Sequence, residues 1–334
     1  MKEVRAFNIV ECQGTLYDIG RQYGEACKDN ILESVEINFL SLCHNLQIGK
    51  SEIVGNAMKF FPKAKEFDPD VIDFIKGESE GAGITFEEAF TLRCVLDLTF
   101  YYGTITGMCT SFAVTGGATK NGKTILGQNV DWVPGFPMDL LKIKYEDGLE
   151  QLVLSFGGVY EYTLNSAGFG ISENLNLGPS QEHVVDLPCG LYLPKAMRQK
   201  SISDALGVLC QAARGIGYYH LASADGEIVG IESAFDDFSI LYPERDMLVH
   251  SNHCQTERFY KGNQIYMVAP DSYFRANHLR NIMEQHYGEI TPELMMKFLA
   301  DHENHPNSIC RHVDDNKSPH TRSKTLASIV MVPE

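Results

Sequence analysis

The sequence predicts an α+β fold with two stacked antiparallel sheets and helices on their outer faces. Three features of the 334-residue chain support this prediction. Apolar residues recur at helical spacing through the first third of the chain. An Asn-Gly turn then joins two runs of β-branched and apolar residues. Short strand-like segments fill most of the remaining sequence. Helices first, then sequential hairpins, two helices in the middle and more strands indicate separate helical and sheet layers. Because no internal repeat or flexible linker divides the chain, we expect one domain.

The first third is predicted to be helical after one short strand at residues 6–12. We expect helices over residues 14–42, 53–61, 68–82 and 85–102. Pro62 should end the second helix, because proline disrupts a helix interior. Asp68-Pro69 should begin the third helix, and the capping-box spacing from Thr85 to Glu88 should begin the fourth.

The remainder alternates strands with Gly and Asn turns, interrupted by three helical stretches. Strands are predicted over residues 140–145, 151–156, 160–164, 170–173, 218–222, 228–233, 238–241, 247–251 and 325–332. Helices are predicted over residues 191–213, 273–286 and 291–301. These strands should build the two sheets, because successive short strands joined by tight turns pair with one another.

A hairpin is predicted around Asn121-Gly122, which is a strong signal for a two-residue turn. With that turn Asp131 would lie opposite Phe112, and a bulge at Gly116-Gly117 would bring it closer to Cys109. A thiol at the start of one strand and a carboxylate at the end of its neighbour could then share a site.

Cys109 has a chemical use if the chain is cut just before it, because the new α-amino group can act as the base for its own thiol. In model compounds the pKa of the α-amino group is about 8 and that of the thiol is about 8.5, so proton transfer between them costs little free energy. One residue would then supply both nucleophile and base. The alternative is that Cys109 is one more buried thiol in a chain with nine cysteines.

Two segments of this hairpin match a known family, Cys-Thr-Ser-Phe-Ala at 109–113 and Gly-Gln-Asn-Val-Asp-Trp at 127–132. Further matching segments lie at 165–171, 307–311 and 325–330, and weaker ones lie in the helical first third. The chain therefore resembles the isopenicillin N acyltransferase family of N-terminal-nucleophile (Ntn) hydrolases.

The resemblance implies a four-layer αββα fold and a precursor that cuts itself between Met108 and Cys109. Residues 1–108 would be the helical propeptide, or small subunit, and residues 109–334 the catalytic subunit. Together they would form one Ntn domain. For every residue before 108, helix entry and capping explain the sequence motifs without a catalytic role.

The resemblance also assigns catalytic roles to four residues. Cys109 would be the nucleophile, and Asp131 would orient its amine. Asn252 would stabilise the oxyanion, a contribution whose loss typically costs about 10²–10³ in rate. Arg322 would lie by the nucleophile, where a permanent cation lowers the thiol pKa and orients a carboxylate.

Three more residues are predicted to bind substrate or border the oxyanion: Asn174, Gln128 and Trp132. A turn asparagine hydrogen-bonded to the backbone is an equally good interpretation of Asn174. Gln128 favours the acyltransferase branch, since bile-salt and penicillin V hydrolases have arginine at the matching position of a Gly-Arg-x-x-Asp segment.

Composition excludes several classes of partner. The formal net charge is −16, with 28 basic and 44 acidic residues, which argues against nucleic acid and anionic membrane surfaces. Nine widely spread cysteines without a Cys-x-x-Cys pair fit a reducing compartment, and no stretch approaches about 20 apolar residues. We expect a cytoplasmic protein without a cofactor, whose partners are a small amide or acyl-coenzyme A-type substrate and its own cleaved segment in an α/β heterodimer. Homo-oligomerisation is left open.

Three alternative functions remain. A choloylglycine or penicillin V hydrolase-like amidase would use the same site with water as acceptor. A non-catalytic binding protein of the same fold would never cut its chain. A metal-dependent hydrolase could use His250, His253 and Cys254, with His302, His305 and His312, but the spacing His302-Glu303-Asn304-His305 is one residue short of a zinc-protease motif. We therefore predict no metal ligands.

Overall fold

A computed structural model gives the fold of the chain. It describes residue 7 and residues 9–102, 108–176, 186–211, 217–234, 237–260, 269–318 and 321–334. The start of the strand predicted at 6–12 and the end of the helix predicted at 191–213 lie outside these residues. The other predicted helices and strands fall within them.

The described residues of the N-terminal segment form one strand and seven α-helices. They are β1 Ile9–Gly14, α1 Leu16–Ala26, α2 Lys28–Leu46, α3 Lys50–Ala57, α4 Phe61–Phe67, α5 Pro69–Ala82, α6 Phe86–Leu92 and α7 Val95–Tyr102. A short 3₁₀ turn, Met58–Phe60, joins α3 to α4. The capping box predicted at Thr85 and Glu88 is present, with both reciprocal hydrogen bonds formed.

Three helix predictions in this segment are wrong in their boundaries. The helix predicted over residues 85–102 is divided at Arg93 and Cys94 into α6 and α7. The helix predicted over residues 14–42 is divided at Cys27 into α1 and α2. Pro62 does not end a helix but lies in the first turn of α4, where its missing N–H removes no intrahelical hydrogen bond.

Among its described residues, the rest of the chain supplies eleven strands and five helices. The strands are β2 Met108–Gly116, β3 Gly122–Trp132, β4 Asp139–Tyr145, β5 Glu150–Phe156, β6 Val159–Asn165, β7 Phe169–Asn174, β8 Gly217–Ser223, β9 Ile228–Ala234, β10 Asp237–Leu241, β11 Met247–His250 and β12 Lys324–Met331. The helices are α8 Cys189–Met197, α9 Ile202–Gln211, α10 Glu257–Tyr260, α11 Asp271–Gln285 and α12 Pro292–Leu299.

These strands form an eight-stranded sheet, in the order β1-β4-β5-β6-β7-β8-β9-β10, and a four-stranded sheet, in the order β11-β2-β3-β12. All pairings are antiparallel except that of β1 with β4. Because β1 precedes residue 108 and β4 follows it, the N-terminal segment is part of the larger sheet.

The apolar side chains fill three interfaces and so define four layers. The N-terminal helices, α8 and α9 pack on the outer face of the large sheet. Ala113 and Leu126 of the small sheet meet Ala222 and Ile228 of the large sheet between the two. Helices α11 and α12 cover the outer face of the small sheet. The predicted four-layer αββα arrangement is confirmed.

The register of the β2–β3 hairpin differs from the prediction. Asp131 pairs with Met108, and Gly127 pairs with Phe112. The Asn-Gly pair does not form a two-residue turn; residues 117–121 form a longer loop, with a register shift between Val114 and Gly116. Val130 therefore lies opposite Cys109, and Asp131 is the next residue along β3. The shift moves Asp131 toward Cys109, as expected from a bulge.

Two glycines allow α1 and α5 to pack closely. A Cβ on Gly20 would lie 2.1 Å from the Phe74 carbonyl oxygen, and a Cβ on Gly77 would lie 2.1 Å from the Tyr17 carbonyl oxygen. Any larger residue would separate α1 from α5, whose backbones touch at these positions. These two glycines therefore serve helix packing.

Among the helices of the described ranges, none combines the length and the apolar character that crossing a bilayer requires. The longest, α2, has 19 residues and includes charged side chains.

Candidate active site

Cys109 is the second residue of β2 and is 7% exposed. Side chains alternate along a strand, so Cys109 shares a face with Ser111 and Ala113. Since Ala113 packs against the large sheet, the thiol points into the space between the sheets. This position places a potential nucleophile inside the molecule at the end of a strand.

A pocket in this space contains Cys109 in its wall and has an empty volume of about 770 Å³, including the solvent at its mouth. Both segments of the chain line it. The N-terminal segment supplies Asn38, Leu92, Arg93, Val95 and Leu96. Sequence motifs gave no sign of this contribution, because the lining residues follow ordinary helical spacing.

Aromatic rings form one side of the pocket. Phe136 and Phe156 are stacked with their ring centroids 4.8 Å apart, and Trp132 packs edge-on against Phe156 at 5.4 Å. Tyr162 and Val159 continue this wall. The pocket therefore suits an apolar group that extends away from the thiol.

Two buried side chains hold the backbone of Cys109. Its N–H donates to Asn252 Oδ1 at 3.0 Å, and its carbonyl oxygen accepts from Arg275 Nη1 at 2.5 Å. Arg275 also donates to Asn252 Oδ1, at 2.8 Å, and to Thr110 Oγ1, at 2.6 Å. The amide bond before Cys109 and the residue itself are thus held by a connected polar network.

The Asn252 amide nitrogen donates to the Leu175 carbonyl oxygen at 2.8 Å. An amide nitrogen carries two N–H groups, and within the described ranges this contact accounts for one of them. The second N–H is therefore compatible with the predicted oxyanion role.

Asp131 is fully buried beside this network. Its Oδ1 accepts a hydrogen bond from Thr325 Oγ1 at 2.6 Å, and its Oδ2 lies 3.5 Å from Arg311 Nε. Burial raises the pKa of Asp131, and the charges of Arg311 and Arg275 oppose that rise. The carboxyl group is therefore coupled to two arginines.

The thiol of Cys109 is kept protonated by its surroundings in the intact chain. Burial is the main cause that raises its pKa to about 12, and the negative charges of Asp131 and Glu173 add to it. A hydrogen bond from the Asp131 backbone N–H and the charge of Arg275 act in the opposite direction. A nearby base is needed before this thiol can attack at neutral pH.

Asn174 lies at the end of β7 in the pocket wall. Its Nδ2 donates to Ser111 Oγ at 2.7 Å and to the Ser251 carbonyl oxygen at 2.9 Å. Its buried Oδ1 has no partner in the part of the chain that the structure describes. That oxygen can accept a hydrogen bond from a substrate N–H or O–H group.

Trp132 and Gln128 have different positions. Trp132 lines the pocket, as described above. Gln128 is fully buried and pairs with Ser111 and Ile329 along the sheet, and it is not among the residues that line the pocket. Neither Oε1 nor Nε2 of Gln128 has a hydrogen-bond partner within the described ranges.

Arg322 does not make the contacts expected of it. Its guanidinium donates to the carbonyl oxygens of Lys317 and Asp315 at 3.1 and 3.0 Å, and its side chain is 30% exposed. Arg275 and Arg311 instead make the cationic contacts with Cys109 and Asp131. Arg311 ends one of the family-like segments, whereas Arg275 lies in a helix whose sequence carried no signal.

Other contacts hold three of the residues that the sequence offered as alternative metal ligands, namely His250, His253 and Cys254. His250 Nε2 lies 3.0 Å from Glu232 Oε1, with both side chains fully buried. His253 Nδ1 lies 2.9 Å from Ser272 Oγ, and Cys254 Sγ donates to Asn176 Oδ1 at 3.5 Å. These three side chains therefore have polar partners within the protein.

The four layers, with a thiol between the sheets, define the class of Ntn-type hydrolases and acyltransferases. The family model described as "Acyl-coenzyme A:6-aminopenicillanic acid acyl-transferase" matches residues 118–334. The chain belongs to this family, and the predictions of the family and of an enzyme in this class are confirmed.

The chain is also similar to individual proteins. The chain is 25% identical, over 96% of its length and 88% of the relative's, to an acyl-coenzyme A:6-aminopenicillanic-acid-acyltransferase 40 kDa form of Emericella nidulans. Among solved structures, a Caenorhabditis elegans N-acylethanolamine-hydrolyzing acid amidase ortholog has a TM-score of 0.45 at 16% identity, covering 67% of this chain and 93% of that one. A penicillin V acylase from Agrobacterium tumefaciens has a TM-score of 0.45 at 12% identity, covering 67% and 79%.

Proposed function

We propose that this protein is a self-processing cysteine acyltransferase or amidohydrolase that acts through an acyl-Cys109 intermediate. The observation that carries the proposal is the position of Cys109. Its side chain lines an apolar pocket while Asn252 and Arg275 hold its N–H and carbonyl groups. A nucleophile needs both a place for the acyl group and a fixed orientation.

The first step would cut the chain between Met108 and Cys109. The sulfur of Cys109 attacks the Met108 carbonyl carbon, and the C–N bond breaks as the thiol proton is transferred to Cys109 N. The resulting thioester is attacked by water, which releases the Met108 carboxyl group and the free thiol. Cys109 then carries a new α-amino group.

That α-amino group would be the base for the second reaction. It lies where Asn252 Oδ1 accepts from Cys109 N, and we assign to Asp131 the orientation of this amine. The thiol attacks an amide or thioester carbonyl, the leaving amine or thiol takes a proton, and the acyl group passes to water or to an amine. Asn252 stabilises the oxyanion through its second N–H.

The pocket supports an apolar acyl group and a small acceptor as the substrate class. The aromatic wall of Trp132, Phe136 and Phe156 would contact the acyl group, and Asn174 Oδ1 would accept a hydrogen bond from the substrate. The Emericella relative transfers acyl groups according to its name. We infer the same type of reaction here, with the penicillin nucleus as one of several acceptors to be tested.

We further propose that residues 1–108 stay bound after cleavage, giving an α/β heterodimer. Strand β1 pairs with β4 over six residues, and helices α6 and α7 line the pocket. Loss of the segment would expose one edge of the large sheet and open the pocket to solvent.

Acyl trapping tests the proposed reaction. Purified protein is mixed with octanoyl-coenzyme A, quenched in acid, and examined by intact mass and peptide mapping. We expect one octanoyl group on Cys109, which disappears when an amine acceptor is added. Cys210→Ala, which removes a half-buried thiol on α9, should be acylated like the parent.

Other results would change the proposal. Acylation of a different cysteine would contradict the role of Cys109. Turnover of N-octanoyl amides without transfer to any amine would indicate the amidase alternative. Absence of acylation with both the thioester and the amide would favour the non-catalytic binding protein.

A further inference from the structure

We propose that His302, Cys310 and His312 form a zinc-binding site outside the pocket. Their ligand atoms, one imidazole nitrogen each and the Cys310 sulfur, all lie within 4.8 Å of one another. Two imidazoles and a thiolate are the donor types that Zn²⁺ prefers in proteins. The fourth position would be taken by water or by His305, whose ring centroid is 4.7 Å from that of His312.

The separations are close to those of a metal site. Zinc bonds of about 2.0–2.3 Å imply about 3.3–3.6 Å between donors in a tetrahedral site. His302 Nδ1 and His312 Nε2 are 3.0 Å apart and point toward each other. The widest separation needs to close by about 1 Å, which side-chain torsions can supply.

The backbone already holds the ligands together. Cys310 N–H donates to the Asp301 carbonyl oxygen at 2.9 Å, and His312 N–H donates to the Pro306 carbonyl oxygen at 2.9 Å. These bonds fold residues 301–312 back on themselves, so His302 lies beside the other two ligands. Such preorganisation lowers the entropy cost of binding a metal.

The charge around the site favours a cation. The negative charges of Asp131 and Asp301 act on Cys310. Asp301 Oδ1 also lies 3.1 Å from His278 Nε2, which holds this carboxylate in place. His302 is exposed, so an ion can enter from solvent.

A zinc ion bound at this site would fix the position of the segment that carries Arg311. Arg311 lies between two of the ligands, Cys310 and His312, and its guanidinium contacts both Asp131 and Asp271. The metal would touch neither the nucleophile nor the substrate, so its effect would be to fix the position of an arginine beside Asp131. The site does not depend on the proposed acyl chemistry.

Zinc titration tests this site directly. The full chain is prepared with Cys109→Ala, which removes the pocket thiol as a competing ligand, stripped with a chelator, and titrated with Zn²⁺ against a chromophoric chelator. We expect one Zn²⁺ per chain. His302→Asn and Cys310→Ser should each weaken binding more than about 100-fold, beyond the loss typical of an outer-shell partner. His44→Asn and Cys210→Ser are the matched controls and should bind like the parent.

Cobalt substitution identifies the sulfur ligand. Co²⁺ in the parent should give a thiolate-to-metal charge-transfer band, and that band should be absent in Cys310→Ser. Because His302 is exposed, His302→Asn should fold normally, which a thermal unfolding curve of the metal-free protein checks. Equal zinc affinity in His302→Asn and the parent, less than one Zn²⁺ per chain, or a cobalt spectrum without the thiolate band would overturn the proposal.

Discussion

Cys109→Ala is expected to abolish both chain cleavage and acyl transfer. In the proposed mechanism the same sulfur attacks Met108 and later the substrate, and no other thiol shares its contacts with Asn252 and Arg275 in the part of the chain that the structure describes. Removing a covalent nucleophile typically costs at least about 10⁴-fold in kcat. We expect the purified variant to remain one chain of 37.3 kDa with kcat/KM lowered by at least about that factor.

Cys210→Ala is the matched control for this variant, since it removes a half-buried thiol on α9 outside the pocket. It should cleave and turn over like the parent. Full amidase or transferase activity in Cys109→Ala would refute the assignment of the nucleophile. A correctly folded Cys109→Ala protein is recognised by a single cooperative unfolding transition, since an uncut chain need not unfold at the temperature of the cleaved parent.

Asn252→Ala is expected to lower kcat by about 10²–10³-fold, because it removes the proposed oxyanion donor. KM should change little, since the lost hydrogen bond forms only as negative charge develops on the substrate oxygen. Steady-state kinetics with one thioester substrate, measured on fully cleaved protein, separates the two parameters.

Asn252→Asp distinguishes the two functions of this side chain. An aspartate keeps an oxygen that can accept from Cys109 N and Arg275, but it has no N–H for an oxyanion. A donor role predicts that both variants lose kcat to a similar extent. Near-parental kcat in Asn252→Asp would contradict that role and leave only the orientation of Cys109. Asn45→Ala, on α2, serves as the control and should keep parental kinetics.

The types and approximate bounds of most elements could be predicted from the sequence because local signals determine them. The capping box at Thr85 and the helix start at Asp68 are examples, since each is a contact within four residues. The order of the elements indicated two sheets with helices outside, and the family resemblance specified the four-layer αββα arrangement. The apolar clusters on both sheets agree with it.

The hairpin register could not be predicted because distant residues determine it. The N–H of Lys120 donates to the Ile290 carbonyl oxygen at 3.0 Å, and the N–H of Gly117 donates to Asp246 Oδ2 at 2.9 Å. Both partners are far along the chain, and they hold residues 117–121 in a loop longer than an Asn-Gly turn. Tertiary contacts thus override a strong local turn signal.

The arginines of the site illustrate a second limit. Arg275 is fully buried, yet helix α11 has no clear apolar face that would show which of its residues point inward. Arg322, chosen by resemblance, instead contacts Asp315 and Lys317. A charged residue's partner is set by the packing of distant elements, so a motif can locate the segment but not the side chain that makes the contact.

Every step of the proposed mechanism requires that the chain cut itself before Cys109, and the mass of the purified protein under denaturing conditions tests this cleavage. We expect two fragments, the larger of which starts at Cys109 when its N-terminus is read by Edman degradation or tandem mass spectrometry. Their masses should sum to that of the 37.3 kDa chain plus one water. A single uncut chain after prolonged incubation would contradict the account, because Cys109 would then lack the α-amino group that serves as its base.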